Sequence, residues 1–159
     1  MCIRDRANGG APAIAVLIHE INGASGWGAL AISSSVAVAM SDTLASEIGV
    51  MDSRTRSIIT LKSVPTGSNG GMSPLGMFGS VMGASMVAVA AIALMAEHLP
   101  EGLFETAVII TTIGWIGCQI DSVLGELMEN RGLLGKHSVN FLATSFGALA
   151  GWAAYVTIF

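Results

Sequence analysis

Charge is what this sequence has least of. Asp, Glu, Lys and Arg make up 11% of it, against about a quarter in soluble domains. A chain of 159 residues so poor in charge has too little polar surface to cover itself in water. Its apolar faces call for lipid as solvent, and no nucleic-acid partner is expected. Cysteine is nearly missing as well. Cys2 and Cys118 form no CxxC pair and have no His beside them, so they read as free thiols rather than a disulfide or zinc site. Met1 to Arg6 lacks the apolar core of a signal peptide. This hexapeptide is out of character with the apolar chain after it and is expected to be a non-native leader, with the native chain starting further upstream. A short basic cytoplasmic leader is the alternative.

What the sequence has instead is apolar length and glycine. Hydrophobic residues make up 52%, mean hydropathy is +0.69, and 20 residues are Gly. Small residues let membrane helices approach closely. Ala11 to Ile21 predicts a short, tilted or broken span, followed by a turn at Asn22 to Gly26. Trp27 to Ile48 predicts a second span. Leu75 to Ala96 is a third, opened by Pro74 in its first turn. Leu103 to Ile120 and Val139 to Phe159 are the fourth and fifth. Polar loops lie between, at Val50 to Gly71 and Met128 to Ser138, with a tight acidic connection at Glu97 to Gly102. The expected fold class is all-α: a polytopic transmembrane bundle of about five spans, forming one domain over residues 7–159.

Sidedness supports this order. With loop 50–73 in the cytoplasm, all seven basic residues fall on that side: Arg4, Arg6, Arg54, Arg56, Lys62, Arg131 and Lys136. Glu20, Glu97, Glu101 and Glu105 fall on the other. The positive-inside rule is obeyed throughout, which predicts an inner-membrane protein with its amino terminus inside and its carboxy terminus outside.

The second apolar run ends in Ser41-Asp42-Thr43-Leu44-Ala45-Ser46-Glu47-Ile48-Gly49, and the fourth ends in Asp121-Ser122-Val123-Leu124-Gly125-Glu126. Each unit is a helix ending in Asp-[Thr/Ser]-x-x-x-Glu, a polar loop, and a returning helix, which suggests a two-fold parallel internal repeat. An ionisable residue within a span costs on the order of 2.5–3.5 kcal/mol and is a functional candidate by default. Acids at helix C-termini are also disfavoured by the macrodipole. A divalent cation, or Lys62, Arg54 or Arg56, is expected to compensate. Residues five apart on a regular helix are separated by about 140° around the axis and about 7.5 Å along it. Asp42 and Glu47 therefore cannot easily share an ion, and the better metal pair is Asp42 with Asp121. Mg²⁺ suits such a pair, since it takes one or two carboxylates plus phosphate and water.

Gly67-Ser68-Asn69-Gly70-Gly71, preceded by Lys62, reads as a flexible turn or as a backbone nest for phosphate. It is not a Walker A loop, because no Gly-Lys-[Ser/Thr] closes it. Acids for metal with amides and Lys62 for phosphate together suit phosphoryl transfer. Asn140, one turn into the last span, is equally suited to bonding a ligand and to joining helices. His19 and His98 read as interfacial, His137 as structural, and the Met residues as packing or lipid-facing.

Ala7-Asn8-Gly9-Gly10, Ser41 to Gly49, Lys62 to Ser73, Gly117 to Gly125 and Val139-Asn140-Phe141 resemble, in order and spacing, a family of integral membrane proteins that includes plant phytyl-phosphate kinase and transmembrane protein 19. The Asp-Thr-Leu-Ala-Ser-Glu-Ile-Gly string is its most specific part. A looser similarity reaches polyprenol and phytol kinases. The resemblance implies a kinase that uses a nucleotide triphosphate, CTP or ATP, to convert an isoprenoid phosphate to the diphosphate. It implies metal on Asp42, Glu47 and Asp121, and nucleotide phosphates on Lys62 and Gly67–Gly71. The prenyl tail would lie between spans, with Asn8, Ser46, Ser122 and Asn140 as substrate contacts. Three features depart from the family pattern. The further spans usual before Asn-Gly-Gly are missing, which implies a fragment. Lys136-His137 stands where Asn-Asp is common, and Glu126 where a small residue is usual. The competing expectation is a transporter whose repeated acids carry protons or cations.

Overall fold

The computed structural model describes residues 3–21 and 26–159, with residues 3–8 described by backbone alone. Five helices make up the bundle: α1 Ile3–Ile21, α2 Trp27–Gly49, α3 Pro74–Met95, α4 Leu103–Leu124 and α5 Lys136–Ile158. Residues 22–25 of the turn expected at Asn22 to Gly26, and Cys2, lie outside the described residues. Among the described residues, α2, α3, α4 and α5 are long and apolar enough to cross a membrane, whereas α1 offers only the shorter apolar stretch Gly9–Ile21. At 1.5 Å per residue that stretch falls short of a hydrocarbon core of roughly 30 Å. Pro12 also sits inside it, and His19 closes its last turn.

Local chemistry sets several boundaries. Ser73 is the N-cap of α3, its Oγ accepting from the Gly76 N–H at 3.1 Å, and Pro74 occupies the first turn, where its missing N–H costs nothing. The last helix starts at Lys136, three residues earlier than its apolar pattern suggests, and α4 runs on past Asp121. A π-helical turn, Gly125–Glu129, then extends it. The connection between α2 and α3 is more ordered than the loop expected there. Two short antiparallel strands, β1 Arg56–Ser57 and β2 Gly71–Met72, close it into a hairpin with Arg56 opposite Met72.

The central helix is α2, which packs against each of the other four. Most of its inward residues are small: Ala29, Ala31, Ser33, Ser34, Ser35, Ala37 and Ser41 are all buried, with Leu30 and Val38 as the large exceptions. Partner helices meet it with glycine. A Cβ at Gly83 of α3 would stand 2.7 Å from the Met40 carbonyl oxygen, and one at Gly151 of α5 would stand 2.8 Å from that of Leu30. Backbones in contact at this range gain dispersion that larger side chains would prevent. Cross-helix hydroxyl bonds add direction: Ser35 Oγ donates to the Thr144 carbonyl and Ser41 Oγ to that of Ser80, each at 2.8 Å. Helices α2 and α4 therefore end where α3 and α5 begin, and the hairpin lies at that end.

Candidate functional site

Where α2 and α4 end, a cavity of about 310 Å³ opens between α2, α3, α4, α5 and the hairpin. The last turns of α2 contribute Asp42, Ser46 and Glu47, and the end of α4 contributes Cys118, Asp121 and Ser122. The hairpin contributes Gly67 to Met72, and the first residue of α5 contributes Lys136. The two acids from different helices come together there, each carboxyl near enough to act on the other's charge. Asp121 is buried, Asp42 half-buried, and Glu47 stands on the exposed rim. Two carboxyl groups in such contact repel unless a proton or a cation lies between them. The charges acting on Asp121, besides Asp42, are the ammonium of Lys136 and the carboxylate of Glu129.

The compensating cation is therefore Lys136, which the sequence alone does not single out. Its signal is a Gly-Lys step at the start of the last apolar run. The three cations expected in that role sit elsewhere. Arg54 grips Asp52 through Nε and Nη2, both at 3.0 Å. Arg56 donates to the Leu61 carbonyl at 3.5 Å. Lys62 is exposed on the hairpin and is not among the residues that line the cavity.

The Gly-rich stretch forms one wall, as a hydrogen-bonded turn rather than an open nest. Ser68 N–H donates to the Pro65 carbonyl at 3.2 Å and Gly71 N–H to that of Ser68 at 2.9 Å. The adjacent helix N-terminus is already served, because Leu75 N–H donates to Asp52 Oδ2 at 3.3 Å and Gly76 N–H to Ser73 Oγ. Asp52 is thus the pivot of the loop behind the cavity. The Arg54 guanidinium, then the Arg54 backbone N–H, and further the Leu75 N–H hold its carboxyl down at about 2. The same contact raises the Arg54 pKa.

The serines bracket the acids. Ser46 and Ser122 line the cavity, and Ser46 Oγ donates back to the Asp42 carbonyl at 2.8 Å, leaving its lone pairs as acceptors. Asn140 is buried in α5 and is not part of the lining; its carbonyl receives the Thr144 hydroxyl at 2.9 Å. The Asn8 side chain lies outside the described residues. Glu126 lies half-buried beside the hairpin, accepting from Ser57 Oγ at 2.6 Å and from Ile59 N–H at 3.4 Å. Cys118, Gln119 and Glu129 line the cavity without standing out in the sequence.

Among the described residues no three His, Cys, Asp or Glu side chains are grouped to hold an ion. A dedicated protein cage is therefore not built among them. A facing carboxyl pair in this cavity suits Mg²⁺, which keeps waters and takes its remaining oxygens from phosphate.

A family model described as Integral membrane protein DUF92 matches residues 6–148. An uncharacterized membrane protein of Methanocaldococcus jannaschii is 31% identical over 133 residues, which are 83% of this chain and 53% of that protein. The chain thus spans about half the length of this curated relative. No solved structure matches.

Proposed function

The chain belongs to the DUF92 family of integral membrane proteins, and on that premise we propose that its cavity carries out phosphoryl transfer from a nucleotide, CTP or ATP, to an isoprenoid phosphate at the cytoplasmic face of the membrane. The observation that carries this reading is the Asp42–Asp121 contact. Two helices each bring one acid to the same point, beside Lys136 and under a glycine-rich wall. The kinship with phytyl-phosphate kinase suggested by the motifs supplies the substrate class.

In this reading Asp42 and Asp121 hold Mg²⁺, which when bound offsets phosphate charge, and Glu47 on the rim adds negative charge to the metal side. Lys136, beside Asp121, would bind phosphate oxygens. Gly67, Asn69, Gly70 and Gly71 bring backbone close to the nucleotide phosphates, because no side chain intervenes at the glycines. Lys62, exposed on the hairpin, draws the anionic nucleotide toward that wall. Ser46 and Ser122 orient the acceptor phosphate. An acceptor phosphate oxygen forms a bond to the terminal phosphorus of the nucleotide, the bond from that phosphorus to the bridging oxygen breaks, and nucleoside diphosphate leaves. Positioning and charge neutralisation supply most of the rate in such reactions. The tail of the lipid stays in the bilayer between the spans.

Transport by titrating acids asks for them near the bilayer midplane. Asp42 and Asp121 lie past the middle of α2 and α4, on the side where the hairpin packs. The test incubates the purified chain with labelled nucleotide, Mg²⁺ and phytyl or geranylgeranyl phosphate. Labelled isoprenoid diphosphate is the expected product. Its absence with both lipids and both nucleotides sinks the kinase reading.

A further inference from the structure

Glu126 faces the hairpin. It does not line the cavity, and it stands one turn beyond Asp121. Its two oxygens are used on one target. Oε1 accepts from Ser57 Oγ at 2.6 Å, and Oε2 accepts from the Ile59 N–H at 3.4 Å. Ser57 is buried and gathers more of the hairpin, since its Oγ accepts from both the N–H and the hydroxyl of Thr60 at 2.8 Å. A chain of hydrogen bonds thus runs from Thr60 through Ser57 to Glu126.

The other side of Glu126 is closed by Gly70. Gly70 is buried with φ +74, in the left-handed region that favours glycine. A Cβ there would run into the Glu126 side chain and stand 3.0 Å from the Ser122 carbonyl oxygen. The Gly70 carbonyl in turn accepts from the Ile58 N–H at 2.9 Å. Glu126 is therefore gripped between the strand β1 turn and the Gly-rich wall. Both are tied to the helix end that carries Asp121 and Ser122. Bonds to a charged acceptor are stronger than neutral ones.

We propose that Glu126 is a positioning residue, fastening the hairpin to the end of α4 so that the Gly67–Gly71 wall stands at a fixed height across from Asp42 and Asp121. The functional half of this statement rests on the phosphoryl-transfer reading; the fastening half does not. Glu126 acts through the hairpin and touches no reacting atom. It holds the phosphate-facing wall at the distance the acid pair requires, so nucleotide binding depends on it more than turnover does.

The test compares the full chain with Glu126→Ala and Glu126→Gln. The glutamine keeps a side-chain oxygen for the Ser57 hydroxyl; the alanine keeps nothing. Amide hydrogen exchange is followed across the hairpin and across α2 and α4, without nucleotide. In Glu126→Ala, exchange at residues 57–71 is expected to rise about tenfold or more while α2 and α4 stay protected. Glu126→Gln is expected to restore much of the protection. Unchanged exchange at 57–71 in Glu126→Ala overturns the fastening. A rise spread equally over α2 and α4 overturns it too, since Glu126 would then be holding the whole bundle. In the phosphoryl-transfer assay, Glu126→Ala should raise the nucleotide KM about tenfold with kcat changed less, and Glu126→Gln should recover most of that. A KM equal to that of the parent, despite a loosened hairpin, overturns the positioning role. If the parent chain itself transfers no phosphoryl group, the kinase reading fails, and the exchange data alone decide the fastening.

Discussion

The residues that matter most here are single charges in places where charge is expensive. Asp42 and Asp121 stand out in the sequence because each closes an apolar run at the wrong end of a helix. The structure brings them together in one cavity. Replacing either by Asn keeps the shape and removes a charge. Asp42→Asn or Asp121→Asn is expected to lower phosphoryl transfer about 100-fold, in the range seen when one preorganised electrostatic group is lost. Full turnover in either would remove the acid pair from the site. Lys136 could not be found in the same way. A cation at the start of an apolar run looks like an ordinary boundary residue, and only the folded bundle brings it beside Asp121. Lys136→Ala should therefore cost more activity than Lys62→Ala, and the reverse order would return the phosphate-binding role to Lys62. Asp52 carries a different prediction. Its carboxyl titrates at about 2 in the fold against 3.8 ordinarily, because Arg54 bonds the charged form. A depressed folded value means that its contribution to stability is complete above about 4 and fades as pH falls toward 2. The protection of amides over residues 50–75, relative to their intrinsic exchange rates at each pH, should fall across that window in the parent chain. In Asp52→Asn it should be lower already at neutral pH and lack that slope.

At the scale of elements, the long apolar runs were legible because their length has few other uses. All four long helices begin or end within a few residues of where hydropathy and Pro74 place them. The hairpin was not legible. Strands of two residues carry no periodicity, and the bonds that shape the loop run to partners far along the chain, such as Ser57 to Glu126. The role of Glu126 was hidden for the same reason. Helix packing fell in between, since abundant glycine announced close contact without saying which faces meet. The answer is that α3, α4 and α5 each turn glycine toward α2. Gly83→Val would push against the Met40 carbonyl, which as backbone cannot swing aside. Overpacking of this kind costs about 1–3 kcal/mol. A lower midpoint of thermal unfolding in detergent is expected for Gly83→Val. Gly9→Ala, with nothing within 4 Å of its Cβ, should leave that midpoint unchanged or slightly raised. Equal effects from the two would mean that α2 and α3 do not meet through Gly83.

The whole molecule adds an asymmetry that no single element has. Arg54, Arg56, Lys62 and Arg131 are carried by the segments joining α2 to α3 and α4 to α5, and Lys136 opens α5. Glu97, Glu101 and Glu105 lie at the opposite end, where α3 passes into α4. Basic residues in short loops resist export across the membrane, so the proposed orientation puts the loaded end inside. The cavity opens at that same end. The orientation and the proposed chemistry therefore depend on each other, because nucleotides are cytoplasmic and a cavity facing outward would have no donor. Single cysteines decide the matter. In a Cys2→Ser background, with Cys118 buried, Lys62→Cys and Glu101→Cys are exposed to a membrane-impermeant thiol reagent in intact cells. Cysteine at 101 should label at once, and cysteine at 62 only after the membrane is opened. The opposite order would turn the bundle over, place the acid pair outside, and leave a nucleotide-dependent reaction at this cavity without its donor.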